Sequence, residues 1–309
     1  MLAKRHAHFE LRVSYGEYEM AKIKSIQAGL ASPVSQGVAN SSVVLAGQSA
    51  KQASCSEILG WVPPSPGSLI GNLAIKKVLL ELLTYRSKPK PTCFIGKTGT
   101  GKTASVFALV QSLSCPRAAA PKWQACQTCT ACKKLNLSTN SEDFAFLSEV
   151  DTVTYWRLDC TSVNKAALKK LEEDLDVFLG YKVVYLDEVH RLRKGQLEKN
   201  ALAIINQNRS SVFWLASTAN STELSKDFRK TFRLVATYSP TEKEMLTFIV
   251  KRCKEFNIGF DNQATLRRMA QKIVDTPSLF QVILAEASLG NSRLVTSALL
   301  DEVLRHHAP

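Results

Sequence analysis

Hydrophobic positions follow two alternating spacings between Trp61 and Thr218, and essentially one after Ser239. The spacing of Leu69, Ile70, Leu73, Ile75, Val78, Leu79, Leu82 and Leu83 is helical, and it predicts a helix ended by the SKPKP stretch. Short apolar runs at Thr92–Ile95, Tyr155–Cys160, Lys182–Leu186 and Ser211–Ala216 predict strands, with Lys182–Leu186 reading as buried on both faces. Helical periods separate them, from Lys102 to about Leu113, from Asn164 to Phe178 and from Gln196 to Ile205. Strands alternating with helices predict an α/β fold, a parallel sheet covered on both faces by helices. This core is expected over residues 57–238. From Ser239, with the cap-like Ser239, Pro240 and Thr241, only helical periods remain, so residues 239–309 are expected to form a small all-helical lid.

Ahead of the core, Ala21 to Ser56 contains no acidic residue and shows no sustained period. Residues 1–56 are therefore expected to be a flexible lead-in, with Val43, Val44 and Leu45 as a possible docked strand. Order is expected to begin near Trp61, where Pro63, Pro64 and Pro66 stiffen the chain.

Composition then narrows the class. Hydrophobic residues make up 45% of the 309 and charged residues 22%, and no stretch approaches the roughly 18 apolar residues a membrane span needs. The first residues lack a secretory apolar core, and Glu10, Glu17 and Glu19 fit an organellar leader poorly, so a cytoplasmic address and no membrane partner are expected. A net charge of +13 creates a field that attracts phosphate backbones, although the same lysines also confer solubility. Eight cysteines without an export signal read as reduced thiols rather than a disulfide framework.

Three constellations carry chemistry. Gly96-Lys97-Thr98-Gly99-Thr100-Gly101-Lys102-Thr103 matches G-x-x-x-x-G-K-[ST] between a strand and a helix. Its glycines let backbone N–H groups surround a β-phosphate, Lys102 reaches the β- and γ-phosphates, and Thr103 offers a hydroxyl to Mg²⁺. This loop implies a nucleoside triphosphate, with ATP expected. Asp187 and Glu188 end an apolar strand where ligands of parallel sheets bind, Asp187 to hold Mg²⁺ through water and Glu188 to orient the attacking water. Cys115, Cys126, Cys129 and Cys132 have the number and spacing of a closed, structural zinc site.

In this order the motifs resemble the AAA+ ATPase subunit of bacterial-type DNA polymerase III clamp loaders, the gamma/tau type, from about Trp61 to Val303. Trp61-x-Pro63 followed by Leu69-Ile70-Gly71 is similar to the family's entry motif, which lies beside the adenine. The cysteine module after the phosphate-loop helix is a mark of that branch. Arg157-Leu158-Asp159-Cys160-Thr161-Ser162 is similar to its second strand, and Tyr185 to Leu192 to its acidic motif. Phe213 to Thr218 looks like the sensor-1 strand, which implies Thr218 near the γ-phosphate. Gly290-Asn291-Ser292-Arg293, opening a helix Leu294 to Leu304, resembles sensor 2 and implies that Arg293 contacts phosphate.

Two departures stand out. Lys230-Thr231-Phe232 occupies the place of the family's Ser-Arg-Cys, leaving Arg229 or Arg233 as substitutes for its trans-acting arginine. The chain ends at Pro309, ahead of the family's collar, which points to assembly through another surface or to a divergent relative. The resemblance implies other AAA+ subunits, a sliding clamp and primed DNA as partners. It leaves open a nucleotide-holding scaffold with little hydrolysis, or a AAA+ regulator or loader in transposition or helicase loading.

Overall fold

The computed structural model describes residues 52–85, 89–133, 146–147, 153–177, 180–193 and 196–307, with backbone alone at 146–147, 193 and 307. All fall in the unit Ser42–Pro309. Residues 1–51 of the expected lead-in, with Val43 to Leu45, lie outside the described residues.

Helix α1 (Cys55–Leu59) precedes the 3-10 turn Pro66–Ser68, α2 (Leu73–Thr84), β1 (Thr92–Ile95) and α3 (Lys102–Ser114). Then come β2 (Phe146–Leu147), β3 (Val153–Asp159), α4 (Lys165–Val177), β4 (Tyr181–Asp187), α5 (Leu197–Gln207), β5 (Val212–Thr218), α6 (Lys226–Thr231) and β6 (Arg233–Ala236). The sheet order is β2-β3-β4-β5-β1-β6, with every pairing parallel except β2 with β3. The most buried strand, β5, therefore separates the phosphate-loop strand β1 from the acidic strand β4.

Alternation along the strands builds a core on each face. Val184, Leu186, Trp214 and Ala216 pack with Leu168, Leu171, Ile204 and Ile205 of α4 and α5. On the opposite face, Val183, Tyr185, Phe213 and Leu215 pack with Leu79, Leu83, Val106 and Leu109 of α2 and α3.

The lid comprises α7 (Glu242–Phe256), β7 (Gly259–Phe260), α8 (Gln263–Lys272), α9 (Leu279–Leu289), β8 (Leu294–Val295) and α10 (Ser297–His307). It is not all-helical as expected, because β7 and β8 pair in parallel. Two residues at left-handed φ, Asn257 after α7 and Arg293 before β8, turn the chain into this short ribbon. The last helix consequently begins at Ser297 rather than Leu294.

Order also begins earlier than Trp61. Ser54 and Glu57 form a reciprocal capping box for α1, and Ile58 is fully buried among Met245, Ile249, Phe280 and Leu284 of the lid. The boundary at residue 56 thus falls inside a helix that belongs to the lid core. The first core helix starts at Leu73, four residues after the apolar pattern opens, because Gly71 and Asn72 both sit at positive φ. Asn72 uses its amide there, donating to Thr100 O at 3.1 Å and Tyr238 O at 3.0 Å and accepting from Tyr238 N at 2.8 Å.

Candidate nucleotide-binding site

The loop from Gly96 to Gly101 leaves β1 at the carboxyl edge of the sheet and enters α3. Gly96 is required by close approach, since a Cβ there would lie 2.1 Å from Thr237 Oγ1 and 2.6 Å from Thr237 O. Gly99 and Gly101 sit at φ +83° and +87°, a region side chains disfavour. Thr100 Oγ1 pairs with Thr237 Oγ1 at 2.6 Å, and Gly96 N donates to Thr218 O at 3.1 Å, so the loop is tied to β5 and to the segment after β6. The Lys102 ammonium donates to Gly96 O at 2.7 Å and Lys97 O at 2.9 Å, turned inward over the loop. Burial lowers its pKa, and Glu188 and Asp187 pull it back up.

A cavity of about 510 Å³ opens beside this loop. It is lined by Thr98 to Thr103 with Asp187 and Glu188, and by apolar groups including Trp61, Pro63, Ile70, Phe248 and Phe280. Trp61, Pro63 and Ile70, expected near the base, therefore share one cavity with the phosphate loop and the acidic pair. Gly96 and Lys97 form the base of the loop without lining the cavity.

The acidic pair is held differently at its two members. Asp187 Oδ1 accepts from Ser217 Oγ at 2.6 Å and Tyr185 OH at 2.9 Å, and Oδ2 accepts from Arg157 Nη2 at 2.9 Å. Burial pushes the Asp187 pKa up, but these three hydrogen bonds outweigh it and hold the carboxyl below its usual value. Burial likewise drives the Tyr185 phenol well above its ordinary range, so it stays a neutral donor. Glu188 stands at φ 49°, with Oε2 3.3 Å from His190 Nδ1 and 3.4 Å from Ala219 N.

Thr218 ends β5 with its hydroxyl on His190 Nδ1 at 3.0 Å, adjoining the phosphate loop through Gly96 without lining the cavity. Arg293 does not line the cavity. Its guanidinium donates to the carbonyls of Ala53, Phe256, Asn257 and Ser288 inside the lid. The lid instead faces the cavity with Pro277, Ser278, Phe280 and Gln281 at the start of α9, and Lys102 is the sole cation among the described lining residues. Of the candidate trans-acting arginines, Arg229 donates to Ser221 O and Thr222 O, and Arg233 pairs with Glu81 at 2.7 Å.

Arg157, Tyr185, Ser217 and His190 were not read from the sequence as site residues. A signal existed for two of them, since Tyr185 shares a strand face with Asp187 and Arg157 lies opposite Tyr185 in the parallel register. Nothing local to Pro277–Gln281 marks it as a cavity wall.

The four clustered cysteines converge, with sulfurs all within 4.8 Å of one another. Tetrahedral zinc with Zn–S bonds of about 2.3 Å needs sulfurs about 3.8 Å apart, so this donor set fits the ion with slight contraction. Cys126 N and Cys129 N point at Cys115 Sγ and Cys126 Sγ, at 3.3 and 3.4 Å. The knuckle also grips the entry segment: Ala125 N donates to Pro64 O at 2.9 Å, Gln127 Nε2 to Val62 O at 3.3 Å, and Ser65 Oγ to Gln124 Oε1 at 3.0 Å.

A parallel sheet with β5 between the phosphate-loop and acidic strands, capped by a helical lid, defines the AAA+ class of P-loop folds. Solved structures agree. The Thermotoga maritima RuvB Holliday junction branch migration motor superimposes with TM-score 0.54 at 17% identity, covering 81% of this chain and 73% of that one. Katanin gives 0.53 at 15%, covering 84% and 93%, and Caenorhabditis elegans PCH-2 gives 0.51 at 13%, covering 82% and 73%. In sequence, the chain is 27% identical over 243 residues to DNA polymerase III subunit tau of Bacillus subtilis (strain 168), covering 76% of this chain and 37% of that one. The chain thus spans little more than a third of that relative's length. No family model matches the chain. The chain therefore has the fold of these AAA+ neighbours and is similar in sequence to part of DNA polymerase III subunit tau. No helix among the described residues is long and apolar enough to cross a membrane.

Proposed function

We propose that this chain binds and hydrolyses Mg-ATP as a clamp-loader-like ATPase subunit of cytoplasmic DNA replication. The carrying observation is convergence: phosphate loop, acidic pair and apolar side chains share one cavity lined by core and lid residues. Lys102 would exchange the carbonyls of Gly96 and Lys97 for the β- and γ-phosphates, while the N–H groups of Lys97 to Thr103 and the amino end of α3 cradle the anion. Thr103 and Asp187 would hold Mg²⁺, which supplies charge neutralisation and alignment of the triphosphate. Glu188 would orient the attacking water, with His190 and Thr218 fixing its position. Trp61, Pro63 and Ile70 would flank the base. Cys115, Cys126, Cys129 and Cys132 would hold zinc, a closed site that fixes the knuckle.

Other AAA+ subunits, a sliding clamp and primed DNA are the partners supported by the tau likeness and the net charge of +13. The test is ATP turnover with and without primed DNA, in the native chain and in Glu188→Gln. The variant is expected to bind ATP normally and lose about a hundredfold in turnover, with DNA stimulation lost at high salt. Unchanged turnover would remove Glu188 from the reaction.

A second reading, a nucleotide-holding scaffold with little hydrolysis, is favoured by Lys102 standing as the sole described lining cation. Tight ATP binding without turnover in any assembly would select it.

A further inference from the structure

The Asp187 carboxylate is neutralised from within the chain. Its two oxygens take Ser217 Oγ, Tyr185 OH and Arg157 Nη2, all at 2.9 Å or less. The same phenol lies 3.1 Å from Thr103 Oγ1, so the two side chains assigned to a divalent cation are bridged by Tyr185. The arrangement is built by the sheet: Arg157 and Tyr185 are register partners on β3 and β4, and Ser217 comes from β5 on the other side. The Arg157 side chain is 43% exposed, so it approaches the carboxylate from the solvent side.

A divalent ion arriving at Asp187 meets a carboxylate whose charge a guanidinium already balances. It gains less there than at a bare carboxylate. Conversely, a triphosphate entering without metal meets a neutralised ion pair there rather than a bare carboxylate that would repel it. We propose that Arg157 is a positioning residue that sets the metal dependence of nucleotide binding, making it metal-sparing. Tyr185 completes the device. Its hydroxyl can release Thr103 and keep Asp187, so the network survives the loss of one bond.

This inference rests on the reading that the cavity takes a nucleotide. It is tested on the full chain by titrating ATP calorimetrically in excess Mg²⁺ and in EDTA, and by following Mn²⁺ binding to the ATP complex by electron paramagnetic resonance. Arg157→Met is expected to raise the ratio of Mg²⁺ to EDTA affinity about fivefold over the native chain and to bind Mn²⁺ more tightly, as loss of a half-exposed ion pair implies. Arg157→Lys, which keeps the charge, is expected to stay within about twofold of native. Arg157→Gln replaces the methionine variant if circular dichroism shows that the latter does not fold. An unchanged ratio, or weaker Mn²⁺ binding in the neutral variant, overturns the proposal while leaving nucleotide binding intact. A native chain that binds ATP in neither condition overturns the functional reading and this inference together.

Discussion

Arg293 illustrates how a side chain placed by motif order can be claimed by its neighbourhood. It satisfies four carbonyls, at the end of α7, in α9 and ahead of α1, from a left-handed backbone position. Removing a charged donor from several partly buried carbonyls costs roughly 2–4 kcal/mol. Arg293→Ala is therefore expected to lower the melting temperature by several degrees while leaving ATP affinity of the folded chain within about twofold. A large loss of affinity without loss of stability would return it to the phosphates. Gly96 gives the opposite case, a position legible from the motif whose necessity lies in a distant residue. Gly96→Ala is expected to weaken ATP binding at least tenfold by calorimetry, because the new methyl meets Thr237 Oγ1 at 2.1 Å. Thr237→Ala should not rescue it, since Thr237 O remains at 2.6 Å.

At the scale of elements, strands β1, β3, β4 and β5 were legible because each is an apolar run bounded by turns, and their observed ends lie within two residues of the expected ones. Strand β6 and the β7–β8 pair were not. Arg233–Ala236 alternates exposed and buried positions over four residues, and Gly259–Phe260 carries only two, too few for a period. The phosphate loop and acidic strand were legible as strings, whereas the lid wall at Pro277–Gln281 is defined only by where α9 begins in space. The cysteine knuckle shows an element acting beyond itself. None of its cysteines lines the cavity, yet it hydrogen-bonds Val62, Pro64 and Ser65, flanking the base wall at Pro63. Metal analysis is expected to find one zinc per chain. Removing it with a chelator, or by Cys129→Ser, should weaken ATP binding severalfold although the phosphate loop is untouched. Full affinity in a zinc-free, folded chain would show the knuckle to be decoupled.

On the scale of the whole unit, the cavity is assembled from both the sheet core and the lid, and Asn72 joins the entry segment, the phosphate loop and the link to the lid through one amide. Ligand at a hundred times its dissociation constant would stabilise such a joint site by about 2.7 kcal/mol, felt by core and lid together. The entry segment also carries an optical consequence. The Trp61 indole lines the cavity, with Phe248 edge-on at 5.8 Å and the Arg252 guanidinium 4.8 Å from its ring centre. Trp156 and Trp214 are sealed in the core on the α4–α5 face of the sheet, and the fourth tryptophan, Trp123, packs against the other core without lining the cavity. Intrinsic emission should therefore change when ATP enters, and Trp61→Phe should abolish that change. The molecule would then report its own occupancy in real time, without a dye and without turnover.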